Sequence, residues 1–183
     1  PRGAAVIIQG ADRNQAYEFT QTIVSDAALP VLRIKTEFVF HRRGLKVFAL
    51  FKPTMANSGT GDQGWASSES LVATETKDRS KAFAALTTPG GFTQTSVGYV
   101  GTTDGWQDLS KNFQLTQNFS SAGPGNIALV GEQSLEQSDS TATIEWSLGF
   151  GNSRDQAVTH SRTSLMTDFE TALAIYNEGW NSY

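Results

Sequence analysis

Aspartate, tyrosine and tryptophan side chains concentrate in residues 96–109, SVGYVGTTDGWQDL. Asp104 and Asp108 flank Gly-Trp-Gln, and oxygen-rich turns of this kind can hold calcium, although the spacing does not follow the D-x-[DN]-x-[DN]-G calcium loop. Tyr99 and Trp106 offer flat apolar surfaces that could stack on a ligand or pack against another domain. The segment therefore supports three hypotheses: a calcium site, a ligand-contact surface, or a corner that docks on something else.

The rest of the sequence gives little support for metal binding or nucleophilic catalysis. The chain has no cysteine, and its two histidines, His41 and His160, have no His or Cys nearby to complete a zinc site. No G-x-S-x-G motif is present to hold a nucleophilic serine. Glycoside hydrolysis needs a pair of carboxylates, and many pairs could be chosen among 18 Asp and Glu residues. The number of acidic residues therefore does not distinguish a glycosidase from other proteins. We predict no catalytic residue and no metal ligand.

A polar stretch at residues 52–65, KPTMANSGTGDQGW, has the composition of loops that bind ligands, and equally that of a connector. If the chain binds a carbohydrate, exposed aromatic side chains would form the platform and neighbouring polar groups would fix the orientation. The aromatic candidates for that platform are Trp65, Tyr99 and Trp106, with Asp62, Gln63 or Asp104 as hydrogen-bonding partners.

Composition narrows the class of protein. A chain of 183 residues fits one domain with a sizeable core, and its net charge of -4, without a run of five like charges, argues against nucleic acid as a partner. The apolar runs are far shorter than the roughly 20 residues of a membrane-spanning helix, so we predict no membrane anchor. The chain starts with Pro1 and lacks a signal-peptide pattern, so we expect a fragment of a longer protein.

Alternation of apolar and polar residues predicts a mainly β structure. The clearest strands are residues 31–40 and 141–150, and the charged sequence HRRG at 41–44 suggests a hairpin whose return strand is LKVFALF. About nine short strands separated by turn residues favour an antiparallel sandwich or barrel. The weaker strand predictions begin at Tyr17, Glu69, Ala82, Phe92, Phe113 and Asn126.

The turn residues of the 96–109 segment predict a tight reversal after a strand. Gly101 and Gly105 can adopt positive φ, and Asp104 can accept hydrogen bonds from the backbone that follows it. In the structural interpretation of this segment, Trp106 packs across the turn and holds it closed.

Helix signals begin after residue 152. Ser153 can cap a helix that starts at Arg154, and Thr167 with Glu170 fits a capping box for a second helix. An apolar stripe on that helix could pack on the sandwich's own sheet or on a further domain. The stripe comprises Leu165, Phe169, Leu173, Tyr176 and Trp180.

Four motifs together carry a family resemblance. SVGYVGTTDGWQDL, followed in order by GNIALVGE at 125–132, SLGFG at 147–151 and YNEGW at 176–180, resembles the N-terminal domain of bacterial glucoamylases and glucodextranases of glycoside hydrolase family fifteen. The similarity extends from about Gln15 to Tyr183, which is most of the chain.

This resemblance implies a large antiparallel super-β-sandwich of the galactose-mutarotase-like type that is not itself catalytic. In this family a separate (α/α)6 barrel performs exo-acting, inverting hydrolysis of α-glucosidic bonds in starch-like or dextran-like glucans, outside the cell or in the periplasm. We therefore expect residues 1–152 to form a sandwich lacking the family's first strands, and residues 153–183 to form a helical segment leading towards the barrel. No cofactor is implied, and α-glucan oligosaccharides remain an alternative partner. Candidate residues for docking or sugar contact are Trp65, Tyr99, Asp104, Trp106, Gln107, Tyr176 and Trp180.

Overall fold

The computed structural model describes residues 5–77, 82–135 and 140–182. Strands dominate the first 151 residues, and two of the three α-helices follow them. The strands are β1 Val6–Ala11, β2 Tyr17–Ser25, β3 Val31–Phe40, β4 Phe48–Phe51, β5 Asp62–Ser67, β6 Ser70–Glu75, β7 Phe83–Thr87, β8 Gln94–Tyr99, β9 Ser121–Gly125, β10 Ile127–Glu132 and β11 Thr141–Gly151. A 3-10 turn spans Met55–Asn57, and the α-helices are α1 Gly105–Asn112, α2 Arg154–Ser164 and α3 Phe169–Asn181.

The strands form two antiparallel sheets that pack face to face. The larger sheet has eight strands in the order β1-β2-β3-β11-β7-β6-β5-β9, and the smaller has three in the order β4-β10-β8. The prediction of a mainly antiparallel β-sandwich followed by a helix pair is confirmed. The core between the sheets consists of Val47, Ala49, Ala66, Leu71, Ala73, Leu86, Phe92, Val97, Ile127, Leu129, Ile144 and Trp146.

The small sheet covers only part of the large one. An open groove of about 340 Å³ lies beside β4, and its floor is the inner face of β2 and β3. Apolar rings line this floor, among them Phe19, Phe38 and Phe40, and the rings of Phe38 and Phe40 stack at 5.5 Å. Val6 and Ile8 of the neighbouring edge strand β1 are exposed. An apolar face of the sandwich therefore lies open to solvent in this chain.

Three local predictions are wrong. The chain makes no hairpin after β3; it crosses to the small sheet, where β4 pairs with β10, while β3 pairs with β2 and β11. Residues 113–119 form no strand: the predicted reversal is present as a turn at Gly101, but it leads into helix α1, and the chain then runs irregularly to β9. The cap of α3 is Asp168 rather than Thr167, and it accepts a hydrogen bond from the Thr171 backbone N–H at 2.9 Å.

Helix α2 packs tightly on the outer face of the large sheet. The Ser161 hydroxyl donates to the Ser147 carbonyl at 2.7 Å, and a Cβ at Gly149 would lie 2.6 Å from the Ser161 backbone nitrogen. Ser153 caps the helix by accepting from the Gln156 N–H, as predicted. The helical segment is thus anchored to the sheet by polar contacts at close approach.

Arg33 departs from the sequence expectation. Alternation places it opposite Ile34 and Phe38 on the polar face of β3, yet its side chain is fully buried under the junction of α2 and α3. Its guanidinium donates to the carbonyls of Ser164 and Thr167 and to Glu145, the last at 2.7 Å. A cation at the carboxyl end of α2 also complements the helix dipole.

Within the described ranges, no helix is long and apolar enough to cross a membrane.

Candidate functional site

Asp104 organises the corner that the sequence singled out. Its Oδ1 accepts hydrogen bonds from the backbone N–H groups of Trp106 at 2.9 Å and Gln107 at 3.2 Å, and its Oδ2 accepts from Gly101. Asp104 is therefore the N-cap of α1, which explains its burial. Trp106 projects outward with 60% of its surface exposed, so the interpretation that this side chain holds the turn closed is wrong.

Asp108 is the second carboxylate of the corner. Its Oδ1 accepts from the Asn112 amide and the Thr116 hydroxyl, both at 2.7 Å, and its Oδ2 accepts from the backbone N–H groups of Thr116 and Gln117. Burial alone would raise the pKa of Asp108, but these donors outweigh it and lower the pKa from 3.8 to about 2. Every carboxylate oxygen of these two aspartates has a protein donor, and neither residue has a buried oxygen left without a partner that would point to a bound cation, so the geometry does not support calcium at this corner.

Tyr99 lines a separate cavity at the end of β8. Its hydroxyl accepts from the Gly123 N–H at 3.3 Å, and Gln63 and Phe119 line the same space of about 360 Å³. Neither Trp65 nor Trp106 lines this cavity. The structure therefore brings together only two of the proposed sugar contacts, Tyr99 and Gln63.

Trp65 lies on the outer face of the large sheet, where α2 begins. The guanidinium carbon of Arg154 sits 5.4 Å from the centre of its ring, an arrangement of the cation–π type. Trp65 also packs against the cluster of Val72, Ala85 and Ala157. One face of this ring is thus occupied within the chain.

Helix α3 uses its apolar stripe in two ways. Phe169, in the first turn, is buried against the sheet, while Trp180, near the other end, has 56% of its surface exposed. The rings of Tyr176 and Trp180 meet edge to face at 6.3 Å, and with Ile175 and Ala27 they line an apolar groove of about 540 Å³. We call these four residues the α3 patch. The stripe therefore packs on the protein's own sheet at one end and is open at the other.

The two exposed tryptophans lie on opposite sides of the sandwich. Helix α1 lies outside the small sheet, since a Cβ at Gly105 would collide with the outward-facing Val130. Helix α3 lies outside the large sheet, where Glu170 pairs with Lys35 of β3 at 2.6 Å. A single flat partner surface cannot contact both tryptophans.

The histidines are also apart. His41 lies 3.2 Å from Glu18, and the Nδ1 of His160 lies 2.7 Å from the Phe150 carbonyl oxygen. In the described parts of the chain no three His, Asp or Glu side chains converge as metal ligands.

Sequence reasoning missed two features of these sites. Helix α1 was signalled by Asp104 and Gln107, which have the spacing of a capping box, but the glycines suggested a turn. The burial of Arg33 had no local signal, because the carbonyls that it binds come from residues more than 130 positions away.

Known proteins share this fold and have similar sequences. Residues 1–183 match the family described as glucodextranase, domain N. A glucoamylase from Clostridium sp. (strain G0005) is 28% identical over 179 aligned positions, which cover 94% of this chain and 24% of the relative. The crystal structure of a bacterial glucoamylase complexed with acarbose superposes with a TM-score of 0.88 at 25% identity, covering 100% of this chain and 27% of that one.

The chain thus spans about a quarter of the length of these two proteins. The match over the full chain, with the agreement in fold, confirms the predicted resemblance. The chain belongs to the glucodextranase domain N family.

Proposed function

We propose that this chain is the non-catalytic domain N of a larger glycoside hydrolase and that it supports a catalytic (α/α)6 barrel in the same polypeptide. The relatives it resembles are glucoamylases about four times its length. By that similarity, the whole protein would hydrolyse α-glucosidic bonds of starch-like or dextran-like glucans from chain ends with inversion, outside the cell or in the periplasm.

The α3 patch is the observation that carries the docking role. Covering the exposed half of Trp180 would remove roughly 100 Å² of largely apolar surface from water, which is worth about 2–3 kcal/mol at about 25 cal/mol per Å². Tryptophan and tyrosine at the centre of an interface often carry much of its binding energy. Trp180, with Tyr176 beside it, therefore has the chemistry of an interface anchor.

The patch is also held rigidly. Phe169 is buried at the start of α3, Arg33 binds the carbonyls of the preceding junction, and Lys35 pairs with Glu170. A helix fixed at one end presents its other end in a defined orientation. Binding of a partner therefore does not cost the conformational entropy of ordering this helix. This is what a domain that positions a catalytic barrel requires.

The open groove beside β4 supports the proposal that residues 1–152 form only part of the sandwich. The outer edge of β4 has no partner strand in the described sheets, and the apolar floor formed by β2 and β3 lies next to it. A further strand on this edge would continue the small sheet over that floor. We assign this role to additional strands of the same polypeptide.

Sugar binding is not proposed for this domain. The three aromatic candidates do not form one platform, because Trp65 lies on the outer face of the large sheet, Trp106 lies outside the small sheet and Tyr99 lines a cavity without either.

The proposal is tested by oxidative footprinting of tryptophan with N-bromosuccinimide, followed by mass spectrometry. The 183-residue chain is compared with the full-length gene product. We expect Trp180 to be oxidised in the chain and protected in the full-length protein, and Trp106 to be oxidised in both, which makes it the matched control. Equal oxidation of Trp180 in the two samples, or a gene product with no further domain, would overturn the docking role.

A further inference from the structure

Two carboxylates face each other at one end of the sandwich. Asp62 begins β5 and Glu75 ends β6, and the two are direct partners in the antiparallel register of these strands. Alternate burial along β5 turns Asp62 towards the space between the sheets, on the face that also carries Gly64 and Ala66. Asp62 is 0% exposed and Glu75 is 5% exposed, so both groups are removed from water.

The loop before β5 closes over this pair. The Met55 backbone N–H donates to Asp62 Oδ1 at 3.2 Å, and the Ser58 hydroxyl donates to Glu75 Oε2. Glu75 Oε1 accepts from the Lys77 N–H at 2.8 Å. Within the described part of the chain, the Oδ2 atom of Asp62 has no hydrogen-bond partner. A buried acceptor therefore lies unpaired beside a second carboxylate.

The close approach of this pair is built into the backbone. A Cβ at Gly61 would collide with the carboxylate of Glu75, so glycine at this position lets Glu75 lie against the start of β5 beside Asp62. Among the described residues, neither carboxylate forms a salt bridge with a Lys or Arg. Lys52 acts on Asp62, and Lys77 acts on Glu75, only from a greater distance.

Like charges opposite each other on neighbouring strands are destabilising, and burial makes the repulsion larger. Either a proton or a cation could neutralise the pair. A proton on Oδ2 would remove one negative charge, and its O–H could donate to a remaining lone pair of a Glu75 oxygen, so calcium binding and pH dependence must be measured to distinguish the two. A cation would satisfy Oδ2 and the excess charge together.

We propose that Asp62, Glu75 and Ser58 bind a calcium ion that fastens the loop at residues 52–61 to the end of the sandwich. All three side chains offer oxygen, which is the ligand type that calcium prefers, and calcium accepts carboxylates, hydroxyls, carbonyls and water in a flexible geometry. Two carboxylates balance the charge of one divalent ion. Water and loop carbonyls would complete the coordination.

Calcium titration of the 183-residue chain tests this site. After treatment with EDTA and removal of the chelator, isothermal titration with CaCl₂ at pH 7 should show one saturable site, and the midpoint of thermal unfolding should rise with calcium. Asp62→Asn and Glu75→Gln should each weaken calcium binding at least tenfold and abolish the rise. Glu178→Gln removes the same charge from an exposed position of α3 and serves as the matched control.

Three results would overturn the proposal. The first is the absence of saturable calcium binding in the wild-type chain. The second is an unchanged affinity in Asp62→Asn or Glu75→Gln, which would place the ion elsewhere. The third is an unfolding midpoint that does not change with calcium but rises as the pH falls from 7 to 5 in wild type. If this rise were absent in Asp62→Asn, a proton on Asp62 would neutralise the pair. The Asn and Gln variants remove charge repulsion, so we expect them to fold without calcium.

Discussion

Replacing Asp108 by Asn should destabilise the corner between β8 and β9 in a pH-dependent way. The carboxylate accepts four hydrogen bonds, and they lower its pKa from 3.8 to about 2. Since one pKa unit corresponds to about 1.4 kcal/mol, the ionised group contributes about 2.5 kcal/mol to the free energy of unfolding. An Asn amide would also present N–H groups to the N–H donors of Thr116 or Gln117, so we expect a total loss of about 2–3 kcal/mol.

The pH dependence follows from the direction of the shift. The unfolded chain binds a proton at Asp108 near pH 3.8, and the folded protein binds it only near pH 2. The stabilisation is therefore fully present above about pH 5 and is lost as the pH falls through the folded pKa. The difference between wild type and Asp108→Asn should be largest at pH 7 and should shrink between pH 4 and pH 2.

Urea unfolding followed by circular dichroism at pH 7, 4 and 2.5 measures this difference, and at pH 7 the thermal midpoint should fall by roughly 4–10 °C. Asp155→Asn, which removes an exposed aspartate in the first turn of α2, is the control and should cost less than about 1 kcal/mol. A loss below about 0.5 kcal/mol in Asp108→Asn, or a loss of equal size at all three pH values, would refute the reasoning.

Three further substitutions address the elements that position the helices, each measured by urea unfolding. Arg33→Ala leaves two carbonyls and Glu145 without their donor and should cost about 3–5 kcal/mol, and a loss below 1 kcal/mol would show that water replaces the guanidinium. Gly149→Ala places a methyl group against the backbone of α2 and should lower the thermal midpoint by several degrees, whereas Gly179→Ala, where φ is likewise not positive and the new Cβ meets nothing within 4 Å, is the control and should not lower it. Asp104→Ala removes the cap of α1 and should cost about 1 kcal/mol, and an unchanged stability would contradict the capping role.

The strands with the strongest alternation were predicted almost to the residue. Residues 31–40 form β3, and the strand predicted at 141–150 extends by one residue in β11. Alternation is a local signal that a strand carries whatever its partner. The pairing of β4 with β10 joins strands almost 80 residues apart, and no local pattern distinguishes it from the hairpin that HRRG suggested.

The candidate sites were predicted less well, for a related reason. The role of Asp104 as an acceptor for the backbone ahead of it is local and could be inferred from its position among glycines. The exposure of Trp106 and the covering of Trp65 by Arg154 depend on how helices pack on sheets, which residue types alone do not specify. The pairing of Asp62 with Glu75 depends on strand register and was likewise invisible in the sequence.

The central claim, that this domain supports catalysis without performing it, is tested most directly in one titration. The purified 183-residue chain is titrated with maltooligosaccharides and isomaltooligosaccharides while tryptophan fluorescence and released glucose are measured in the same samples. The account predicts no glucose and no saturable change in fluorescence. Glucose released in proportion to the protein added would contradict the non-catalytic role, and a saturable change without glucose would identify the domain as a carbohydrate-binding module instead.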